Sequence, residues 1–490
     1  MAVRHLVRML AAASLAVGMT VAGSGASAGT DTFTVDVTTD GVDAIPGNGS
    51  CATAGGDCTL RAALMESNAL AGAQTVVVPK DVYDLTMTGA GDAGDLDVTD
   101  DLTIQGRGST VRWDVAVPLA SRDRILHLVG PSGQDVLVTI RDITLRQGRL
   151  SDLPGAGIAA EEAVGQLTAD LEHVALVGNV IVGTASQAIG GGLFVGAGTD
   201  VTLTDSTVAG NEADRGTGIF VSTGTLRVER STISGNAGRV GGIVTFGTLL
   251  LLNSTVSGNT STIGGGGVAV SGGAAAISQA TIANNDGADV TQTTGAMSLQ
   301  NSIVGGDCSL TGGANSSFGG NAESGDTCEF LDDSDRQDAT LALKPIADTG
   351  GPTLTHALGT ASDALGLANG SFHVGCSDTD QRGVPRGGDP CDSGAYELAR
   401  CEGSVVTRVG TSARDVLSGT GQADSFLLLG GNDLAKGKGG ADAICGGTGR
   451  DRLEGGGGND DLNGGPDRDT CIGGKGTDRA RGCERKRSIP

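Results

Sequence analysis

An aspartate recurs every nine residues near the end of the chain, between residues 410 and 481. The eight members of this series are Asp415, Asp424, Asp433, Asp442, Asp451, Asp460, Asp469 and Asp478. A glycine-rich turn precedes each aspartate, and a small or apolar residue stands two positions after it. Glycine reaches backbone angles closed to residues with a Cβ atom, and three residues form a short strand whose middle side chain points inward. The period therefore predicts coils of two nonapeptides, with turns 18 residues apart stacked on one side.

The clearest turns are GGTGRD (446–451), GGGGND (455–460) and GGKGTD (473–478). This segment resembles the RTX (hemolysin-type) calcium-binding repeats, whose nonapeptide is G-G-x-G-x-D-x-U-x. Stacked turns offer carboxylate and carbonyl oxygens, a donor set that suits Ca²⁺ before Mg²⁺. A disordered Gly/Asp linker is the alternative, but such a linker would not keep eight aspartates in one phase. We therefore predict calcium binding by the eight aspartates, with turns shaped by Gly446, Gly447, Gly449, Gly455, Gly456, Gly458, Gly473, Gly474 and Gly476.

Some turns depart from this pattern. We expect the most regular sites at Asp442, Asp451, Asp460 and Asp478. The replacements at glycine or turn positions are Ala413, Gln422, Leu428, Leu429, Pro466 and Asp467.

Residues 1–28 have the features of a secretory signal peptide. Arg4 and Arg8 precede an apolar run, and Ala26-Ser27-Ala28 provides a cleavage site. No later segment approaches the ~20 apolar residues of a membrane-spanning helix. Removal of residues 1–28 would change the net charge from −24 to −26, which argues against nucleic acid as a partner. We expect a secreted, extracellular protein that binds calcium ions, with association at the cell surface as one form of this location.

One convincing helix is predicted in the first half, in CTLRAALMESNA (58–69). Leu60, Ala63 and Leu64 fall on one face, and Arg61 and Glu66 on others are expected in a capping salt bridge. The run resembles the CSLREA domain, found near the start of exported parallel β-helix proteins. An amphipathic helix can cover the open end of such a solenoid.

A longer and looser repeat follows the helix. Five short motifs end in Asn179, Asn211, Asn236, Asn259 and Asn285, spaced 32, 25, 23 and 26 residues apart. A glycine run and a short apolar strand recur between them. The pattern predicts an all-β fold, a right-handed parallel β-helix followed by a small RTX β-roll. We expect the asparagines to form a ladder, with left-handed backbone angles at the bend.

Residues 349–358 and 380–397 resemble the closing segment of choice-of-anchor Q domain proteins, which share the CSLREA start and a β-helix. A salt-bridged cap is expected from Asp380, Arg382, Arg386, Asp392 and Glu397. The expected domains are a signal peptide (1–28), a β-helix domain (29–399), an RTX β-roll (400–483) and a basic tail (484–490).

Ten cysteines in an exported chain indicate disulfides. Local spacing favours Cys51–Cys58, Cys308–Cys328, Cys376–Cys391 and Cys471–Cys483, which leaves Cys401–Cys445. The connectivity stays open at this level.

The sequence favours a structural or adhesive protein over an enzyme. Sugar-cleaving β-helix enzymes need convergent acids and commonly use aromatic platforms, whereas this chain has one Trp and two Tyr. The best charged cluster is Asp205, Arg227, Glu229 and Arg230, which an ion-pair network explains equally well. The alternatives are a carbohydrate-active β-helix enzyme with an RTX tail, and a soluble module for a glycan or protein partner. No catalytic residue is assigned.

Overall fold

The computed structural model describes residues 31–89, 93–130, 133–162, 165–183, 188–368, 376–387 and 390–489. The described residues separate into two compact units, divided between Asp338 and Ala339. The predicted signal peptide lies outside the described residues. Within the described ranges, no helix has the length and apolarity needed to cross a membrane. The domain limits expected from the sequence place residues 339–399 with the β-helix, and they stay a prediction.

Strands of successive coils in the first unit pair in parallel and build three sheets, as expected for a parallel β-helix. The first sheet contains Thr32–Thr34, Gln74–Val77, Val82–Leu85, Leu102–Trp113, Val136–Arg146, Leu167–Val177, Thr199–Thr204, Thr207–Ala209, Thr225–Glu229, Thr232–Ser234, Thr248–Leu252, Thr255–Ser257, Ala274–Ser278, Thr281–Ala283, Ala296–Gln300, Ile303–Val304, Ala314–Ser317 and Ala322–Glu323.

The other two sheets of this unit are shorter. The second sheet contains Leu96–Val98, Leu126–Gly130, Ile158–Glu162, Leu193–Val195, Ile219–Val221, Ile243–Thr245, Val268–Val270, Val290–Gln292 and Cys308–Leu310. The third sheet contains Arg149–Ser151, Val180–Val182, Glu212–Arg215, Ala237–Val240 and Thr260–Ser261. A short 3₁₀ turn spans Leu119–Ser121.

Coil-to-coil register keeps apolar side chains in columns inside the helix. Val201 pairs with Leu226, which pairs with Leu249 and then with Ala275. All four are buried, whereas the residues between them along each strand are only half-buried. This period-two alternation defines an inner and an outer face for these strands.

The predicted asparagine ladder is confirmed, but the expected backbone angle at the asparagines is wrong. Each Nδ2 donates to the Oδ1 of the next asparagine, at 3.0 Å from Asn179 to Asn211 and 2.9 Å from Asn211 to Asn236. The left-handed residue is the one before each asparagine, a glycine at the first four members, with φ of 64° at Gly178 and 63° at Gly210, and Asn284, with φ of 60°, at the last. Glycine takes this angle without a Cβ clash, which leaves the asparagine side chain free to point inward.

The predicted helix runs from Leu60 to Ala69, and the Thr59 hydroxyl caps it by accepting the Ala62 N–H at 3.1 Å. Arg61 and Glu66 are both buried, yet they do not pair with each other. Arg61 pairs with Asp40 at 2.7 Å, and Glu66 accepts the backbone N–H groups of Gly47 and Gly49, in the loop that precedes the helix. The expected salt bridge therefore has a different acidic partner, because residues 40–49 fold over the helix and contribute their own polar groups.

The second unit contains two five-stranded parallel sheets, which confirms the predicted roll of two stacks. One sheet contains Arg408–Val409, Ser425–Leu427, Ala443–Cys445, Asp461–Asn463 and Arg479–Arg481. The other contains Val416–Ser418, Leu434–Lys436, Arg452–Gly457, Thr470–Lys475 and Arg485–Arg487. Arg400–Cys401 and Ser404–Val405 form an antiparallel pair ahead of them.

The core of this roll comes mainly from the residue two positions after each aspartate, joined by the buried Leu428. Phe426, Ala435, Ile444, Leu453, Leu462 and Cys471 are buried, and Leu417 and Ala480 pack at the two ends. Four of the five charged residues expected in the cap are paired, Arg382 with Asp380 at 2.7 Å and Arg386 with Glu397 at 3.2 Å. Asp392 instead accepts the backbone N–H groups of Gly366 and Leu398.

The four disulfides favoured by local spacing are present, and so is the remaining pair, Cys401–Cys445. They are Cys51–Cys58, Cys308–Cys328, Cys376–Cys391, Cys401–Cys445 and Cys471–Cys483. No free cysteine occurs among the residues that the structure describes.

Candidate metal centre

The repeat aspartates lie in two columns along the roll, one on each side. Successive members of a column are 18 residues apart and sit in register, because the strands that follow them are paired. The six later aspartates are almost completely buried, with exposures of 4% or less; they are Asp433, Asp442, Asp451, Asp460, Asp469 and Asp478. Asp415 and Asp424, at the start of the two columns, are half-buried.

One oxygen of each later aspartate is used by the fold itself. The Oδ1 atom of Asp451 accepts the backbone N–H of Asp433 at 2.9 Å, and Asp469 in turn accepts the N–H of Asp451 at 2.8 Å. The second column repeats this contact, with Asp460 accepting the N–H of Asp442 at 2.9 Å. Glu484 accepts the Asp469 N–H at 2.7 Å and so replaces an aspartate at the last coil.

The other oxygen remains available. The Oδ2 atoms of all six later aspartates are buried and, within the described parts of the chain, have no hydrogen-bond donor. A buried carboxylate oxygen without a partner costs several kcal/mol unless a cation or a proton compensates it. Six such atoms in two columns therefore indicate a cation.

The first aspartate of each column is different. The Oδ2 atom of Asp415 accepts the N–H and the hydroxyl of Thr411, at 2.6 and 3.0 Å. Asp424 makes the same two contacts with Thr420, at 2.6 and 3.0 Å. These turns begin Gly-Thr rather than Gly-Gly, and the threonine hydroxyl donates a hydrogen bond to the carboxylate oxygen that is free in the later turns. The repeat pattern identifies Ala413 and Gln422 as replacements in these turns, but it does not distinguish the two threonines.

The first glycine of each turn makes room for the aspartate. A Cβ atom added at Gly446, Gly455 or Gly473 would lie only 2.4, 2.2 or 2.2 Å from the Oδ2 of the aspartate in its own turn. The remaining predicted glycines have left-handed φ angles between +93° and +133°; they are Gly447, Gly449, Gly456, Gly458, Gly474 and Gly476. The nine glycines thus serve the conformation that places the carboxylates.

Three non-glycine residues occupy left-handed positions that glycine fills in the regular turns. They are Leu429, Lys438 and Asp467, with φ of 68°, 78° and 85°. The cost of such an angle for a residue with a Cβ atom is about 1–2 kcal/mol. The fold therefore keeps the turn geometry even where the sequence departs from it.

The electrostatics of the columns also favour a cation. Burial raises the pKa of Asp442 and of Asp451 to about 6, and repulsion from the carboxylates one coil away adds to it. The backbone N–H group that donates to Oδ1 of each aspartate opposes this effect without cancelling it. Burial likewise raises the pKa of Asp433, Asp460 and Asp469. An adjacent cation would reverse these shifts, since it favours the charged carboxylate.

The donor chemistry fits a hard ion. The columns offer carboxylate oxygens, the chain has no histidine after residue 373, and the cysteines of the roll are joined in disulfides. Ca²⁺ takes six to eight oxygen ligands with flexible geometry. The residues present therefore fit Ca²⁺.

The charged cluster singled out in the β-helix sequence is an ion-pair network. Arg230 binds Asp205 and Glu229, each at 2.8 Å, and Arg227 binds Glu229 at 2.8 Å. Each charge in this cluster is balanced by its neighbour. This arrangement agrees with the salt-bridge interpretation.

A second polar cluster was not recognised in the sequence. Asp95, Asp97, Arg124, His127 and Glu161 come together on the outer face of the second sheet, from three coils. Burial, followed by repulsion from Asp123, raises the pKa of Asp95 to about 6. The sequence indicates this cluster only indirectly, through apolar residues such as Leu96 and Leu126 that flank the polar ones and pair in register.

Comparisons with known proteins bear on the repeats. Residues 409–444 and 446–480 match the family described as RTX calcium-binding nonapeptide repeat (4 copies). A solved structure, "Crystal structure of pectate lyase Pel9A", is similar with 14% sequence identity and a TM-score of 0.40, over 76% of this chain and 97% of that chain. None of the curated proteins matches the chain. RTX repeats bind Ca²⁺, and this chain carries them at residues 409–480.

Proposed function

We propose that this protein is an exported structural or adhesive protein whose C-terminal roll is folded and stabilised by Ca²⁺. The observation that carries the proposal is the set of six buried Oδ2 atoms without a hydrogen-bond donor. Without an ion, these carboxylates repel one another, and their burial in the charged form destabilises the fold. With an ion, the same atoms become ligands. Calcium binding and folding are then coupled.

The proposed ligands are the aspartates of the two columns, together with carbonyl oxygens of the stacked turns. Asp433, Asp442, Asp451, Asp460, Asp469 and Asp478 lie inside the columns and contribute the free oxygens. Asp415 and Asp424 contribute less, because threonine hydroxyls already occupy their Oδ2 atoms. The nine glycines of the regular turns contribute the backbone geometry.

The test compares two matched double variants of the full chain. Calcium is titrated into the metal-free protein while circular dichroism reports β structure. Asp451→Ala with Asp460→Ala removes two free carboxylates, so we expect a calcium midpoint several-fold higher than that of the wild type. Asp415→Ala with Asp424→Ala removes two occupied carboxylates and should shift the midpoint less. A titration without any change in signal or thermal stability would overturn the proposal.

Export and the surface role rest on other features. The chain starts with a signal-like segment and contains five disulfides, which persist in oxidising compartments. The resemblance to CSLREA and choice-of-anchor Q proteins, which reach the cell surface, supports the same location. A surface glycan or protein is the partner we propose for the β-helix. Detection of the protein only inside the producing cell, after fractionation into cytoplasm, wall and supernatant, would refute this part.

A further inference from the structure

The outer face of the second sheet carries a polar cluster on its first three strands, Leu96–Val98, Leu126–Gly130 and Ile158–Glu162. Asp97 lies in register with His127, and His127 lies in register with Ala159. Their neighbours along each strand point into the core, so these side chains point outward.

Both nitrogens of His127 face carboxylates. Nδ1 lies 3.3 Å from Oδ1 of Asp97, and Nε2 lies 3.9 Å from Oε2 of Glu161. Asp95, immediately before the first strand, brings a third acid to the group. One ligand atom each of Asp95, Asp97 and His127 lies within 4.8 Å of the other two. This spacing allows all three to reach one ion.

We propose that Asp95, Asp97 and His127 bind a divalent transition-metal ion such as Zn²⁺. Imidazole together with carboxylates suits Zn²⁺ and its neighbours, whereas the oxygen-only repeats suit Ca²⁺. Glu161 is a positioning residue, because a carboxylate facing the second nitrogen fixes the orientation of a metal-bound imidazole. The protein would then bind two classes of ion at separate places.

Arg124 gives an independent indication that the cluster lacks a component. It is 8% exposed, and its Nε and Nη1 atoms are buried without a hydrogen-bond acceptor among the described residues. Nε lies 3.1 Å from Oδ2 of Asp95, and Nη1 lies 4.0 Å from Oε1 of Glu161, so the guanidinium points into the cluster. A metal-bound water would provide the missing acceptor.

Ordinary ion pairs in this protein look different. Arg230 makes two hydrogen bonds to Asp205, at 2.9 and 2.8 Å, and Arg382 makes two to Asp380, at 2.9 and 2.7 Å. Arg124 makes none to Asp95 despite its short distance and its burial. The group around His127 is therefore not simply another salt-bridge network.

The cluster is also confined to the first coils. The positions in register with Ala159 on the following strands are Phe194, Phe220, Val244 and Ala269. These side chains are apolar and buried. The acids and the imidazole are thus a local arrangement and not a general property of this face.

The experiment uses the full chain, stripped of metal and then saturated with calcium so that the repeats are filled. Zn²⁺ is titrated by calorimetry, and Co²⁺ provides a visible absorption band that reports its ligands. We expect one Zn²⁺ per chain at this site. His127→Gln should weaken its binding about tenfold or more.

His173→Gln is the matched control, because His173 also lies near an aspartate, 3.5 Å from Asp142, at another corner of the β-helix. It should leave Zn²⁺ affinity unchanged. Asp97→Asn, at a side chain that is 40% exposed, gives a second variant if His127→Gln does not fold. Absence of Zn²⁺ binding to the wild type, or equal binding by wild type, His127→Gln and Asp97→Asn, would overturn the proposal.

Discussion

Asp451→Asn should have opposite effects with and without calcium. The side chain is 3% exposed, its Oδ1 accepts the Asp433 N–H at 2.9 Å, and its Oδ2 has no partner. Asparagine keeps an acceptor for the Asp433 N–H. It removes the charge and the free oxygen. The substitution thus separates the ladder contact from the proposed ligand role.

The magnitude follows from the pKa. Burial raises the pKa of Asp451 from 3.8 to about 6, and two units correspond to about 3 kcal/mol. Since the folded pKa is raised, this group favours the calcium-free fold below about pH 4, and that contribution is lost as pH rises through 6. At pH 8 Asp451→Asn avoids the cost of a buried charge. The buried amide N–H group that replaces Oδ2 lacks an acceptor, which costs roughly 1–2 kcal/mol. We therefore expect the free energy of unfolding to rise by about 1–2 kcal/mol.

With calcium the sign reverses, because the variant has one charged ligand fewer and its calcium midpoint should rise several-fold. The assay is thermal unfolding of the full chain at pH 8, in chelator and then in about 10 mM calcium, which exceeds the ~0.1–1 mM range of extracellular modules. Asp415→Asn is the control, since Thr411 already binds that carboxylate, and both of its shifts should be smaller. Asp451→Asn acting in the same direction under both conditions would refute the reasoning.

Three further outcomes are expected. Lys438→Gly should raise the melting temperature of the calcium-bound roll by relieving φ of +78° at an exposed position, a gain of about 1 kcal/mol, while Lys438→Ala, which keeps the Cβ atom, should not. Burial raises the pKa of Glu323 from 4.5 to about 7, so the free energy of unfolding of the wild type should fall as pH rises from 5 to 8. In Glu323→Gln this decrease should be smaller by up to about 3 kcal/mol, measured by urea unfolding at both pH values. Asn236→Ala breaks two ladder contacts, at 2.9 and 2.8 Å, and should cost about 3 kcal/mol or more in the same assay, against less than about 1 kcal/mol for the exposed Asn48→Ala.

The repeat period made the roll predictable from the sequence. Asp442, Asp451 and Asp460 are nine residues apart, so adjacent strands and stacked turns follow from local geometry alone. The inward position of Ile444 and Leu453 follows from the same count. The hydrogen bonds from Thr411 to Oδ2 of Asp415 could not be predicted from the period. A threonine in a turn has several possible hydrogen-bond partners, and only the folded backbone selects one.

The β-helix was predictable in kind and less so in detail. Asn211 and Asn236 indicated the coil length, yet the left-handed angle belongs to the glycine before each of them. The polar cluster was invisible for a different reason. Asp97, His127 and Ala159 are separated by 30 and 32 residues, and these coils carry no asparagine of the ladder that would align them. Side chains brought together by unequal coils cannot be paired by a fixed period.

The buried carboxylates of the roll also determine the conditions under which it can fold. In the absence of calcium its buried carboxylates oppose folding at neutral pH, since burial raises the pKa of Asp442 and Asp451 only to about 6 and both are ionised at pH 7 and above. Each filled site with a dissociation constant of ~0.1 mM adds about 1.4 kcal/mol at ~1 mM calcium. The same sites are empty at submicromolar calcium, so we expect the roll to complete its folding only in a compartment rich in calcium.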